Sequence, residues 1–344
     1  MPRRPASRYG IAEWYGRDIR KLTPKDRSVL GKAACQHEDE GGDNAPLCPY
    51  LSKLIPNSRC NKAGGVCAIR RFEAGKAGGT GTAKVNELVV TSCPLRFVDH
   101  LADGKFIMSW VAEQMLDIRS PTIVKETPFL RKVSDLNPPT EVQLDTDGEA
   151  DEEGKKAGRI DWIIVNPKSM TTQELQWCAV ETQAIYFSGG RMRDDFEAYA
   201  ARPSEVLYPL NHRRPDYRSS GPKRLAPQLD VKVPVLRNWG KKVCVVVDRY
   251  FLSNMNQMVD AYPRARDDKE RRDNAEVVWF VVDYDDQLRL RPHAVIYTTL
   301  DSTRRALNAT EPLSKGQFTS GLKAVIEDAT RANKVFKTVP VAVA

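Results

Sequence analysis

Five runs of mostly apolar residues in the second half of the chain predict β-strands. They cover residues 160–165, 177–185, 242–247, 277–282 and 294–298, and Val and Ile are common in them. β-Branched and aromatic side chains favour the pleated, half-buried environment of a sheet. The pattern therefore predicts a strand-rich core in this half of the chain.

Apolar residues at helical spacing predict helices before and after these runs. One helix is predicted over residues 97–116. Its core-facing residues would be Leu101, Met108, Val111 and Met115. A second helix is predicted near the carboxyl end, with Ser320 as the candidate cap. Its shared face would hold Leu322, Val325, Ile326 and Ala329. Helices that flank a central set of strands predict an α/β or α+β fold.

Three segments lack this periodicity and carry strong charge. Residues 137–158 hold seven acids between positions 141 and 153, so they predict an acidic loop. Residues 202–226 predict a long basic loop or insertion, and its candidate phosphate contacts are Arg213, Arg214, Arg218, Lys223 and Arg224. Residues 1–33 carry nine Lys or Arg against three acids. They are interpreted as an arm that lies along the phosphates of a nucleic acid or, alternatively, as a solvent-exposed amphipathic helix.

Length and charge narrow the class of protein. At roughly 150 residues per domain, 344 residues suggest about two domains. The 53 Lys and Arg against 45 Asp and Glu give a net charge of +8, which favours a polyanionic partner such as nucleic acid. No apolar run approaches the roughly 18 residues that cross a bilayer, and the amino terminus has no apolar signal core. A membrane or secreted protein is therefore not expected.

Five of the seven cysteines fall within the first 93 residues. The odd total and the missing signal core argue against a disulfide framework, so a metal site is favoured, with scattered structural thiols as the alternative. Gly64 and Gly65 lie between Cys60 and Cys67 and would let the backbone turn both thiolates toward one ion. The predicted ligands are Cys48, Cys60, Cys67 and Cys93.

The other cysteines receive different interpretations. Cys35 is the spare thiol, and the neighbouring His37 is kept as an alternative ligand. Cys178 and Cys244 lie inside apolar strand runs, where a thiol behaves as a small hydrophobic group. We expect both to be buried in the core.

Asp161 and Glu181 are each an acid inside an apolar strand run. The eleven-residue connection between the runs lets them pair as a hairpin with Asp161 opposite Glu181, and alternation places Gln183 on the same face as Glu181. Two carboxylates in a core repel each other unless a divalent cation lies between them. We therefore predict Mg²⁺ held by Asp161, Glu181 and the carbonyl of Thr182.

Such a site can activate a water and neutralise charge on a phosphodiester, which is the chemistry of a nuclease. Gln183 has no titratable proton, so it could orient the attacking water but not act as a general base. The alternative is that both acids form structural pairs with Arg159 or Lys155. Glu113 is a further candidate acid, although an exposed helical glutamate is the favoured interpretation.

Asp161 followed by Glu181-Thr182-Gln183 resembles the PD-(D/E)xK nuclease motif in the variant with glutamine in place of lysine. More specifically, the chain resembles the NotI family of type II restriction endonucleases. The segments that carry this resemblance are Ile11-Ala12-Glu13-Trp14-Tyr15-Gly16, Cys48-Pro49-Tyr50-Leu51, Gly65-Val66-Cys67, Cys93-Pro94-Leu95-Arg96 and Val180-Glu181-Thr182-Gln183, followed by Phe187, Ser188 and Gly189. Ile160 replaces the proline of the general motif, Cys35 has no counterpart, and residues 202–224 have no match.

The resemblance implies a PD-(D/E)xK core with a mixed central sheet in a cytoplasmic prokaryotic enzyme. It also implies a homodimer that cuts a GC-rich palindrome in duplex DNA, and a four-cysteine site that holds iron, which the spacing itself does not separate from zinc. Because one site per chain cuts one strand, a double-strand break also calls for a two-fold dimer. Residues 1–96 would form the arm and metal module that contact DNA, and residues 97–344 the endonuclease domain.

The sequence thus favours a magnesium-dependent, site-specific DNA endonuclease. The alternative from another class is a DNA-binding regulator whose carboxylates are structural, and a third hypothesis is a repair or RNA-directed nuclease with the same core. Incubation with duplex DNA and Mg²⁺ separates them, since only a nuclease cuts.

Overall fold

The computed structural model describes residues 7–41, 44–74, 81–83, 87–130, 158–309, 313–328, 330 and 335. Contacts divide the chain into a large unit, Met1–Asn308, and a small unit, Ala309–Ala344. The predicted acidic loop, apart from Gly158, lies outside the described residues. Within these ranges, no helix is both long and apolar enough to cross a membrane.

The amino-terminal part of the large unit contains a small antiparallel sheet. Its strands are β1 (Ser7–Trp14), β2 (Arg17–Asp18), β3 (Val66–Ala74), β4 (Gly81–Ala83) and β5 (Val90–Thr91). The order is β2-β1-β3-β4, and β5 also pairs with β3. Ile11, Ala12 and Trp14 on β1 are buried, so this sheet has an apolar face that packs into the core.

A six-stranded mixed sheet lies at the centre of the large unit. The strands after β5 are β6 (Thr122–Pro128), β7 (Arg159–Val165), β8 (Trp177–Thr182), β9 (Tyr186–Ser188), β10 (Arg214–Asp216), β11 (Val243–Asp248), β12 (Val277–Tyr284) and β13 (Leu290–Thr298). All except β9 and β10 join in the order β13-β12-β11-β8-β7-β6. β8, β11 and β12 are parallel, whereas the outer pairs are antiparallel.

Helices flank this sheet, as the sequence predicts. They are α1 (Pro24–Glu40), α2 (Ile107–Leu116), α3 (Arg193–Ala201), α4 (Tyr217–Ser220), α5 (Ala226–Asn238), α6 (Arg249–Ser253), α7 (Asp268–Asn274) and α8 (Leu300–Asn308). A π-helical turn, Gly221–Leu225, joins α4 to α5. The small unit contains α9 (Lys315–Glu327). The α/β class and the mixed central sheet are therefore confirmed.

All five predicted strands are present with shifted ends. β11 and β12 are buried along their whole length, because parallel strands in the middle of a sheet are covered on both faces and read as continuous apolar runs. The run 177–185 is strand only as far as Thr182. Ile185 N–H donates to Thr91 O, so the chain leaves the central sheet there and passes to β5. Cys178 and Cys244 are buried core thiols, as expected.

Two helix predictions need correction. The helix predicted over 97–116 begins only at Ile107, because Leu101 N–H donates to Lys105 O and Gly104 adopts a left-handed backbone. Its core-facing side is confirmed over α2. α9 is capped by Ser314, whose hydroxyl accepts from Gln317 N–H. The proposed cap, Ser320, lies inside this helix, and Ala329 lies outside the described residues.

The predictions for the two basic segments are also corrected. Residues 7–33 are neither an arm nor a single helix, because they form β1, β2 and the first part of α1. Pairing with β3 gives the β1 backbone its hydrogen-bond partners. Within 202–226, only the first part is irregular, whereas residues 214–226 form β10, α4, the π turn and the start of α5. This segment is therefore largely regular structure rather than a long loop.

Candidate active site

Asp161 and Glu181 face each other across the antiparallel strands β7 and β8. The ladder pairs Trp162 with Val180, and its next step places Asp161 opposite Glu181, so the predicted hairpin is confirmed. Asp161 N–H lies 3.4 Å from Glu181 Oε1, and Thr182 N–H donates to Asp161 Oδ2 over 3.0 Å. Glu181 is only 2% exposed, whereas Asp161 is half-buried.

A buried lysine that the sequence analysis did not select joins this pair. Lys232, on α5, is 0% exposed, and its Nζ lies 2.7 Å from Glu181 Oε2. It also donates to Gln228 Oε1 over 3.1 Å. The helix face that carries it contains the buried residues Leu229, Val233 and Leu236. A lone lysine on an apolar helix stripe was the available signal, because lysine is almost never buried without a partner.

The electrostatics of Glu181 follow from these neighbours. The pKa of Glu181 is raised to about 8, because burial and then the Asp161 carboxylate raise it by more than Lys232 lowers it. The ion pair that the structure gives Glu181 is with Lys232, and of the two alternative partners predicted for the acids, Lys155 lies outside the described residues. With both acids ionised, the three side chains carry a net charge of −1, which favours a bound cation.

The free energy of unfolding in EDTA is expected to contain a component from Glu181 that falls between about pH 5 and pH 8. Because the folded pKa of about 8 exceeds the ordinary glutamate value of 4.5, the folded state keeps a proton that the unfolded chain releases. This contribution is complete below pH 4.5 and is lost as the pH rises through 8, a change of a few kcal/mol.

Urea unfolding at several pH values tests this expectation. Glu181→Gln cannot titrate, so its stability profile should fall less steeply than that of the parent. Asp301→Asn, which removes an exposed carboxylate on α8, should keep the parent profile. Parallel profiles for Glu181→Gln and the parent would contradict the expectation.

Gln183 and Thr182 adjoin the two acids. Gln183 N–H donates to Val246 O on β11 over 3.1 Å, which extends the parallel ladder by one residue. Its side chain is half-buried. Thr182 Oγ1 lies 3.3 Å from Asp161 Oδ2. The geometry keeps both residues beside the acid pair, and their roles stay predictions.

The residues present fit a partial magnesium site rather than a closed one. Over the described ranges, no three His, Cys, Asp or Glu side chains form a group that could hold a metal ion. Magnesium in enzymes is usually bound by one or two carboxylates together with substrate phosphates. Asp161 and Glu181 supply two such carboxylates. Glu113 has its own partner, because Lys105 Nζ lies 2.6 Å from Glu113 Oε2.

The four candidate thiols are all buried in the large unit. Leu51 N–H donates to Cys48 Sγ over 3.4 Å, whereas the thiols of Cys60 and Cys67 donate to the carbonyl oxygens of Lys62 and Gly65 over 3.5 Å and 3.6 Å. Backbone hydrogen bonds with Leu95 and Arg96 lower the pKa of Cys93, against the larger effect of burial, which raises it. The pKa of Cys60 is raised to about 12, chiefly by burial, with smaller contributions in the same direction from the neighbouring Cys93 and Cys48. The thiols are thus close enough to influence one another, without forming a metal-ligand group in the part of the chain described.

The turn between Cys60 and Cys67 uses its glycines as the sequence predicts. Gly64 and Gly65 have φ values of 70° and 67°. A Cβ at Gly64 would lie 2.2 Å from the Phe196 ring, so a larger residue fits neither the backbone nor the space. His37 contacts Tyr15, with Nδ1 3.1 Å from the hydroxyl, and its role as an alternative ligand is untested.

The basic candidates separate into one buried and four exposed residues. Arg213 is buried in an ion pair with Asp195, so it is corrected from a phosphate contact to a structural residue. The exposed residues are Arg214, Arg218, Lys223 and Arg224. Strand β10 holds this segment against β9. Tyr186, at the start of β9, is three residues beyond Gln183, so the two lie within about 11 Å.

Comparison with known proteins identifies the family. Residues 33–295 match the family described as restriction endonuclease NotI. A search of curated proteins finds no significant match. The matched range contains all the candidate cysteines, both acids of the β7–β8 pair and Lys232. Since this range is well over half of the sequence, the chain belongs to the NotI family of restriction endonucleases.

Proposed function

We propose that this protein is a magnesium-dependent type II restriction endonuclease with a PD-(D/E)xK core, which hydrolyses phosphodiester bonds in duplex DNA. The observation that carries the proposal is the placement of Asp161 directly opposite Glu181 on neighbouring strands. Family membership supports it, since the family is one of restriction endonucleases. A cytoplasmic location belongs to the same proposal, because incoming DNA is cut inside the cell.

The residues of the site have distinct tasks. Asp161, Glu181 and the carbonyl of Thr182 would hold Mg²⁺, which lowers the pKa of a bound water and neutralises charge on the phosphate. Asp161 N–H, 3.4 Å from Glu181 Oε1, helps to orient the Glu181 carboxylate. Gln183 donates and accepts hydrogen bonds but takes no proton at neutral pH, so it orients the attacking water.

Incubation of the purified protein with long duplex DNA and Mg²⁺ tests the function. Discrete fragments on a gel are expected, with both strands cut at each site. A smear would indicate an unspecific or repair nuclease, and intact DNA of shifted mobility would indicate a DNA-binding regulator. Fragment ends then give the recognised sequence, for which a GC-rich palindrome is proposed from the family resemblance.

A two-fold homodimer is part of the proposal. One Asp161–Glu181 pair per chain can cut one strand, and the two strands of a palindrome are related by a two-fold axis. Sedimentation of the protein with a cleavable site in EDTA should give two chains per duplex. A single chain per duplex that still makes double-strand breaks would contradict the dimer.

The exposed cations on β10, α4 and the π turn are proposed as a phosphate-binding surface next to the acid pair. Arg224 lies 3.8 Å above the ring of Tyr186, which orients its guanidinium beside the strand that follows Gln183. Lys62 approaches the same ring at 5.9 Å. A cationic surface with a partly exposed aromatic ring is suited to a polyanionic backbone.

Neutralising this surface is expected to weaken the salt dependence of DNA binding. Each cation that contacts a phosphate adds about 0.9 to the slope of log affinity against log salt. Changing Arg214, Arg218, Lys223 and Arg224 together to Gln should therefore lower the slope by about 3.6. The matched control changes the exposed cations Arg266, Lys269, Arg304 and Arg305. Equal slopes for the two variants would mean that these four cations do not contact DNA phosphates.

The amino-terminal cysteines are proposed as a structural iron site, with zinc as the alternative, inside a module of residues 1–96 that contacts DNA. Residues 97–344 form the nuclease domain in this proposal. Two observations support this proposal: all four thiols are buried, and Cys93 and Cys48 lie close enough to Cys60 to raise its pKa. The N–H···S hydrogen bond from Leu51 to Cys48 would stabilise the thiolate charge that metal binding requires.

Elemental analysis of the purified protein is expected to find about one transition metal per chain. Cys67→Ser should lose the metal and lower the thermal stability, since a closed thiolate site contributes to folding. Cys35→Ser is the matched control and should keep the metal, because Cys35 is half-buried and outside the four-thiol set. Metal-free protein of normal stability, or metal loss in Cys35→Ser, would contradict this site.

A further inference from the structure

Lys232 is a buried charge that the proposed chemistry does not yet use. Its side chain is fully enclosed, and its Nζ is held between Glu181 Oε2 at 2.7 Å and Gln228 Oε1 at 3.1 Å. These two partners fix the position of the ammonium group. Because it is 0% exposed, the group acts on anything in the site through Glu181.

A contribution to folding stability does not explain why a lysine is buried at this position. Removing two charges from water costs free energy that their attraction often fails to recover, so apolar residues of similar size usually serve a core equally well. The same helix face already buries Leu229, Val233 and Leu236. A fourth apolar residue at position 232 would complete that stripe if packing were the only requirement.

The charge of the site gives a reason for a cation here. Asp161 and Glu181 lie opposite each other on β7 and β8, and an attack on a phosphodiester adds further negative charge. The residue two positions after Glu181 on the strand is Gln183, which carries no charge. The cation that contacts Glu181 comes instead from α5.

We propose that Lys232 is a positioning residue of the nuclease site, which holds the Glu181 carboxylate in its metal-binding orientation and supplies from α5 the positive charge that Gln183 cannot. The proposal rests on the proposed function, since it assigns a role in that same site. Without the ammonium group, Glu181 would be an unbalanced buried carboxylate beside Asp161. It would then turn away, and the cation would lose one of its two carboxylates.

The test compares Lys232→Met, which keeps the carbon stem, with Arg237→Met as the matched control. Arg237 lies on the same helix in an exposed pair with Glu276. Lys232→Met should lower the cleavage rate about 100-fold and weaken binding of Mn²⁺ alone about tenfold. DNA binding in EDTA should be unchanged. Arg237→Met should match the parent in all three measurements.

A second variant separates a role in the site from a role in folding. Adding Gln183→Lys to Lys232→Met returns a positive charge beside Glu181 from the strand, so it should recover about tenfold in cleavage rate while thermal stability stays low. Where Lys232→Met does not fold, Lys232→Gln replaces it in both backgrounds, because glutamine keeps a donor for Glu181 without the charge.

Either of two results overturns the inference. One is cleavage and Mn²⁺ binding within about threefold of the parent in the Lys232 variant. The other is lost cleavage with unchanged Mn²⁺ binding and no recovery on adding Gln183→Lys. Failure of the proposed function looks different, because the parent protein itself would then leave DNA intact, while the Mn²⁺ measurement on Lys232→Met could still be made.

Discussion

Replacement of Asp161 by Asn is expected to lower the rate of DNA cleavage by about a thousandfold or more while DNA binding in EDTA stays at the parent level. Asn keeps the shape of the side chain and a carbonyl oxygen that can accept from Thr182 N–H, the contact made by Asp161 Oδ2. It lacks the negative charge that a divalent cation requires. The loss should therefore fall on catalysis and not on folding or DNA affinity.

Single-turnover cleavage of a fragment with one recognised site measures this effect, and a filter or gel assay in EDTA measures binding. Asp301→Asn, in an exposed pair with Arg305, is the control for loss of one acid. Cleavage by Asp161→Asn within about tenfold of the parent rate would remove Asp161 from the catalytic site. Loss of binding together with cleavage would indicate a structural role.

The acid pair could be predicted from sequence because each acid interrupts an apolar run that can only be a strand. Period-two alternation and a short connection then determine which residues face each other, and the β7–β8 register follows that logic. The buried parallel strands could be predicted equally well, since β11 and β12 consist mostly of a continuous apolar run. Local pattern and tertiary environment agree in this part of the fold.

Lys232 and the amino-terminal sheet could not be predicted from the sequence in the same way. Lys232 meets Glu181 through a contact between residues 51 positions apart, and periodicity says nothing about such pairs. Strand β1 contains Arg8, Gly10 and Glu13 among its apolar residues, so its pattern resembles a charged surface segment. Its stability comes from pairing with β3, more than 50 residues away, and this long-range partner overrides local propensity.

Arg96 shows how such long-range contacts hold the large unit together. Its side chain is 2% exposed, and its Nε lies 2.8 Å from Glu13 Oε2 on β1. One terminal nitrogen lies 2.6 Å from Asp99 Oδ2, and the other donates to Leu288 O over 2.7 Å. Burial raises the pKa of Glu13, and Arg96 opposes that rise. The guanidinium thus connects the small sheet to the turn between β12 and β13.

Arg96→Leu is expected to lower the free energy of unfolding by about 3–5 kcal/mol, because it leaves Glu13 buried without its cation. The ring of Tyr50, 4.7 Å from the guanidinium, would also lose a stacking partner. Urea unfolding at pH 7 measures the change.

Arg17→Leu provides the matched control, since it breaks an exposed pair with Asp26 and should cost less than about 1 kcal/mol. Combining Arg96→Leu with Glu13→Gln should recover part of the loss, because the neutral amide no longer needs a cation in the core. The hydroxyl of Tyr50, which donates to Glu13 Oε1 over 2.5 Å, still has an acceptor in the double variant. A cost for Arg96→Leu no larger than that for Arg17→Leu would mean that the two sheets are held together by apolar packing, without a contribution from this ion pair.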